Sequence, residues 1–173
     1  MDPLKYPIGT FKKPLAIRPH HIKQWIGEIE EQPAKFRTLL DGLTNEQLEL
    51  TYRPGGWTIR QVVHHVVDSH LNSFIRFKWT LTEDNPTIKA YYEDRWAELE
   101  DYHFTPVLVS LKMLEYLHQR WVILLKSLTP EQLERTFVHP ESGEQIALDT
   151  LIGMYAWHGN HHIAHVELAL GKR

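Results

Sequence analysis

The sequence predicts an all-α fold, a four-helix bundle with a long crossover between its second and third helices. Three observations predict it. Four long stretches repeat apolar residues at the three- and four-residue spacing of a buried helix face, and no convincing period-2 run competes with them. The chain, 173 residues and 42% hydrophobic, is long and apolar enough to bury a sizeable core. It reads as a single domain over 1–173.

The elements follow in order. Residues 1–18, with Pro3, Pro7 and Pro14, read as an extended arm. The first helix runs from Pro19 to Leu40 on Ile22, Trp25, Ile26, Ile29, Phe36, Leu39 and Leu40, and Pro33 inside it is expected to kink or divide it. The second follows Gly55-Gly56, is capped by Thr58 and continues to about residue 81 on Ile59, Val62, Val63, Val66, Val67, Phe74 and Phe77. Residues 82–105 form the crossover, with a short helix expected over 91–101. The third helix spans about 106–128 on a leucine stripe from Leu108 to Leu128, and the fourth about 147–170 on Leu148, Leu151, Ile152, Tyr155, Val166 and Leu170. Only 144–147 has the character of a brief strand.

An internal repeat sharpens the topology. The fourteen residues from Leu39 to Tyr52 match those from Leu124 to Phe137 at nine positions. Each copy starts a short helix with a capping box, Thr44 to Gln47 and Thr129 to Gln132. Capping chemistry explains the Thr, Glu and Gln, but not the shared leucine register or the Thr-aromatic ending. The expectation is a helix–turn–helix pseudo-repeat, whose two halves each end in a helix carrying a histidine cluster.

Composition excludes several function classes. With 19 Lys+Arg against 22 Asp+Glu and no long basic run, nothing marks a nucleic-acid-binding face. No stretch approaches a membrane span and residues 1–7 lack an apolar signal core, so the expected setting is cytoplasmic, without a membrane. Cysteine is absent, which removes disulfides, thiolate ligands and a cysteine nucleophile. The twelve histidines are the anomaly. A transition-metal site in this chain must use imidazole and carboxylate.

Helical histidines four residues apart share a face and can reach one ion. The last helix offers His158/His162 and His161/His165. The stripe Leu148, Leu151, Tyr155, Val166 and Ala169 passes through the first pair, leaving the second on the flank. On the second helix His65 is in phase with Val62 and Val66, whereas His64 falls nearer the outer side. His65, His158 and His162 thus form a three-imidazole set on two helices, and three ligands with an open fourth position suit a catalytic site. His118 lies on an inward stripe as a core residue or a partner of the ligands; His20, His21, His103 and His139 read as surface or loop. Asp68, Asp149 and Glu167 are candidate partners for the histidines. Ser69, Asn72 and Arg76 share the His65 face, either as a solvent stripe or lining the mouth of the pocket. No P-loop, G-x-S-x-G, G-x-G-x-x-G or H-E-x-x-H motif is present.

The segment Trp57-Thr58-Ile59-Arg60-Gln61-Val62-Val63-His64-His65-Val66, together with Trp157-His158-Gly159-Asn160-His161-His162, resembles the DinB superfamily. Within it, Tyr6-Pro7-Ile8-Gly9, Tyr52-Arg53-Pro54-Gly55-Gly56-Trp57 and Tyr155-Ala156-Trp157-His158 resemble the YfiT-like metal-dependent hydrolases. The resemblance implies one divalent metal per chain, zinc foremost and nickel second, held by His65, His158 and His162. It also implies a homodimer and a small-molecule substrate. Some similar proteins are bacillithiol-type S-transferases acting with a low-molecular-weight thiol, so the expectation is water or thiol activation, with a non-catalytic metal-binding protein as the third class.

Overall fold

The computed structural model describes residues 2–173, so Met1 at the head of the arm lies outside them. Helix α1 is Pro19–Leu40, opened by a proline at its first position and burying Ile26, Ile29, Phe36 and Leu40. It runs unbroken through Pro33. A single turn, α2 (Asn45–Leu48), carries the expected capping box of Thr44 and Gln47. Helix α3 (Ile59–Thr82) has the same device in Thr58 and Gln61. The helix expected over 91–101 is instead two short ones, α4 (Glu93–Trp96) and α5 (Glu100–Phe104), because Leu99 is extended at φ −75° and ψ 153°. Helix α6 is Val107–Lys126, and α7 (Pro130–Leu133) repeats the capping box with Thr129 and Gln132. Strands β1 (Thr136–Val138) and β2 (Gln145–Ala147) pair antiparallel before α8 (Leu148–Ala169). The sequence reading anticipated the second strand and missed the first, whose three residues are too few to show a period.

Around the bundle α1 lies against α6 and α8, and α3 lies against the same two. Side-chain pairs give the directions. His64 meets Ser110 and His70 meets His118, so α3 and α6 are parallel. His65 meets His158 while Ser69 meets Tyr155, so α3 and α8 are antiparallel. The parallel pair explains the crossover: the chain must return the length of α3, roughly 36 Å for its 24 residues, before α6 can start. Crossover backbone is tied down on the way by Gln61 Nε2 donating to Ala97 O at 3.1 Å and by Ile88 N donating to Val138 O at 3.1 Å.

The pseudo-repeat extends to hydrogen bonds. Ile59 N donates to Leu50 O at 3.0 Å, and Leu148 N donates to Arg135 O at 3.0 Å. Thr51 pairs with the α3 cap Thr58, as Thr136 pairs with the α8 cap Ala147. The repeated capping helices therefore deliver α3 and α8 to equivalent starts. The arm lies along α8, where Trp157 Nε1 donates to Gly9 O at 3.1 Å and the Phe11 ring fills the space beside Gly153. Among the described residues no helix is long and apolar enough to cross a membrane.

Candidate metal centre

The antiparallel contact of α3 with α8 brings His65 beside His158 and His162. One ring nitrogen from each lies within 4.8 Å of the others. His65 Nε2 and His158 Nε2 face each other at 3.3 Å. Two tetrahedral zinc ligands at Zn–N distances of about 2.0–2.1 Å would stand about 3.3 Å apart, so the spacing fits a shared ion. His162 completes the set from the next turn of α8, its ring centroid 4.8 Å from that of His65 and 4.6 Å from that of His158. The donor set is neutral imidazole only, which suits zinc or nickel rather than calcium or magnesium.

Burial holds these groups neutral. The pKa of His65 is pushed down to about 3 by desolvation, reinforced by His161 and His165. His158 and His162 are held well below the ordinary histidine value by the same desolvation, reinforced for His158 by His65 and for His162 by His158 and His65. Their second nitrogens are engaged elsewhere. His158 Nδ1 is 3.1 Å from His70 Nε2, His70 Nδ1 is 2.8 Å from His118 Nε2, and His118 Nδ1 is 2.6 Å from Ile29 O. His162 Nδ1 is 3.3 Å from His165 Nδ1, and His165 Nε2 is 3.2 Å from Lys5 O. Of the three clustered histidines, His65 is the one whose Nδ1 is buried without a partner.

A cleft of about 450 Å³ opens over the three histidines. Its walls are aromatic, with Tyr52, Trp57, Tyr91, Tyr155 and Trp157, and its charged groups are Lys5, Arg76, Glu93 and Glu141. Arg76 Nε is buried there without a hydrogen-bond partner. Aromatic walls beside a few charged groups are the ordinary composition of a small-molecule site.

The sequence profile of the DinB superfamily matches residues 28–166. The chain belongs to the DinB superfamily. It is 57% identical over 173 residues to a Bacillus cereus protein named "Putative metal-dependent hydrolase", covering 100% of this chain and 98% of that one. A Bacillus mycoides protein with the same descriptive name is 57% identical over 166 residues, covering 96% and 95%. Among solved structures, YfiT from Bacillus subtilis, described as "a probable metal-dependent hydrolase with an unusual four-helix bundle topology", superposes with a TM-score of 0.94 at 46% identity over 98% of this chain and 97% of that one. A mycothiol-dependent maleylpyruvate isomerase shares the fold, with a TM-score of 0.66 at 11% identity over 87% of this chain and 67% of that one.

Other residues singled out in this DinB sequence fall as follows. His64, read as outward, is buried and bonds Ser110 Oγ through Nδ1 at 2.7 Å, because α6 and the crossover cover the far side of α3 as well. His161 and His165 do lie on the flank, but the arm and Tyr52 cover it: Tyr52 stacks on His165 at 3.8 Å between centroids, and Trp157 on His161 at 4.6 Å. The expected carboxylate partners are engaged away from the histidines. Asp68 accepts from Tyr102 Oη at 2.6 Å, Asp149 accepts from Thr150 at 2.9 Å, and Glu167 pairs with Arg173. Histidines and backbone carbonyls take their place. Ser69 and Arg76 line the cleft, while Asn72 donates to Asp68 O on its own helix at 2.8 Å. His118 is the inward partner residue that the helical phase suggested. His70 was missed as a link, although its position four residues before Phe74 and three after Val67 already placed it on the core face.

Proposed function

We propose that this chain, working as one domain over 1–173, is a metal-dependent hydrolase that holds one divalent ion, Zn²⁺ first and Ni²⁺ second, on His65, His158 and His162. The reading is carried by the 3.3 Å approach of two Nε2 atoms. Without the ion, neutral His65 as its Nε2–H tautomer donates to His158 Nε2 across that distance; the same spacing suits two ligands on one ion, and burial keeps both imidazoles neutral, as ligation requires. Such an ion, when bound, lowers the pKa of coordinated water to about 7, or deprotonates a coordinated thiol.

The protein's own groups do the rest. Trp57, Tyr155 and Trp157 place low-polarity walls beside the three histidines, where electrostatic contacts are stronger than in open water. Arg76, in the cleft wall with no protein partner at Nε, offers its guanidinium to an anionic group of a small-molecule substrate. Neutral imidazoles leave the ion's charge undiminished, so the site favours stabilising a developing anion.

A second reading, transfer of a low-molecular-weight thiol to an electrophile, is favoured by one observation. Among the described residues no carboxylate hydrogen-bonds to the three histidines, and attack by water calls for a base that attack by a thiolate does not need. Incubating zinc-loaded protein with p-nitrophenyl esters, and separately with monochlorobimane plus cysteine, divides the readings. Ester cleavage that needs metal but no thiol supports hydrolysis; conjugation that needs both moves the assignment to transfer. Metal binding with neither activity would leave a non-catalytic metal protein. The family resemblance supports a homodimer, which light scattering on the eluting peak checks.

A further inference from the structure

Proline has no N–H, so Pro33 in the middle of α1 leaves the carbonyl of Ile29, four residues earlier, without its helical donor. Ile29 is fully buried, and an unpaired buried carbonyl is costly until another donor reaches it. His118 reaches it from α6, its Nδ1 2.6 Å from Ile29 O. A carbonyl can only accept, so the hydrogen is on His118 Nδ1. Burial brings the His118 pKa down to about 4, and a neutral imidazole with one N–H must accept at its other nitrogen. His70 Nδ1, 2.8 Å from His118 Nε2, is therefore the donor. By the same step His70 Nε2 accepts from His158 Nδ1 at 3.1 Å. His158 is left with a bare lone pair on Nε2, the atom that faces His65.

A second chain has the same logic. Lys5 O, in the arm, accepts from His165 Nε2 at 3.2 Å. His165 Nδ1 then accepts from His162 Nδ1 at 3.3 Å, which leaves the His162 lone pair on Nε2. Each chain starts at a carbonyl that fixes the proton order and ends at a nitrogen free to bind metal. Neither contains a carboxylate.

We propose that His118, His70 and His165 are positioning residues, ordered by the Ile29 and Lys5 carbonyls, that lock His158 and His162 in the Nδ1–H tautomer and so present both Nε2 lone pairs to one divalent ion. This rests on the reading of His65, His158 and His162 as the ligands. It gives Pro33 and the N-terminal arm a part in metal binding although neither touches the ion. In the metal-free protein His65 Nε2 donates to the His158 lone pair, so His65 is the ligand that must move its hydrogen to its unpartnered Nδ1 when an ion binds.

Nitrogen NMR of ¹⁵N-histidine-labelled, metal-free protein reads the tautomers directly. His158 and His162 should both carry hydrogen on Nδ1; finding either as the Nε2–H tautomer overturns its chain. Zinc affinity by competition with a chromogenic chelator gives the second readout. Partners of this kind typically change metal affinity about 10–100-fold, and His118→Leu and His165→Leu should each weaken zinc by that order with helicity retained. His118→Gln, whose amide keeps one donor and one acceptor, should recover most of the loss, which a purely space-filling role would not produce. Wild-type affinity in both leucine variants overturns the proposal. Failure of the ligand reading looks different: the unmodified protein would bind no stoichiometric zinc, and the tautomers of the metal-free protein would still decide the chains.

Discussion

Arg76 sits on α3 eleven residues after His65, three turns along one face, and its buried Nε has no partner within the protein. A hydrogen bond to a charged group contributes about 1.5–3 kcal/mol, so Arg76→Ala should raise KM for an anionic substrate about tenfold or more. Metal content should not change, since Arg76 is not among the clustered nitrogens. An unchanged KM, measured beside a neutral analogue, would assign Arg76 to the wall alone. At this scale the sequence was informative where one helix decides the answer. The four-residue step from His158 to His162, and the phase of His65 with Val62 and Val66, selected the three residues that the fold brings together. It was uninformative where the answer needs two helices. His64 looked outward because phase assumes one wet face, and α3 has almost none. The roles of His70 and His165 depend on the register of α3 against α6 and on the docking of the arm, neither of which a periodicity encodes.

Element packing turns on a few close approaches. Gly159, between His158 and Asn160 on α8, faces the side chain of Gln32 on α1, and a Cβ there would stand 2.2 Å from it. Gln32 is fully buried and donates to Ala156 O at 2.9 Å, so it has little room to yield. Gly159→Ala should destabilise the fold by about 1–3 kcal/mol through overpacking, despite alanine's better helix propensity. Adding Gln32→Ala should return part of the loss in a denaturant titration. Equal effects of the single and double variants would place the clash elsewhere. Pro33 teaches a related lesson. Of the kink or division expected there, the division does not occur, and the carbonyl that the proline leaves without a donor is met by His118. The four long helices, the capping boxes and the repeat were legible from spacing and cap chemistry. The division of the 91–101 helix and the partner strand β1 were not, since both are set by what the crossover packs against.

At the scale of the whole molecule, the buried histidines tie stability to pH and to metal. In the metal-free protein the pKa of His65 is about 3, and those of His118, His161 and His165 are about 4, against 6.5 for an unperturbed histidine. Between these values the unfolded chain binds more protons than the folded one, so unfolding free energy rises with pH. Stability from these groups is full above about 6.5 and is lost as pH falls from there toward 4. Melts of chelated protein followed by circular dichroism should therefore show Tm falling from pH 7 to pH 5. A flat Tm would mean the imidazoles are not desolvated. The leucine-rich helices should keep chelated protein helical, while added zinc should raise Tm progressively with its free concentration. Collapse of helicity on chelation would make the ion structural.

The central claim, one divalent ion on His65, His158 and His162, is tested most directly by metal stoichiometry in purified, zinc-equilibrated protein. One ion per chain is expected in the wild type and in His161→Ala, and none in His65→Ala, His158→Ala or His162→Ala, with all variants helical. Retention of the ion in His158→Ala, or its loss in His161→Ala with retention in His162→Ala, would contradict it.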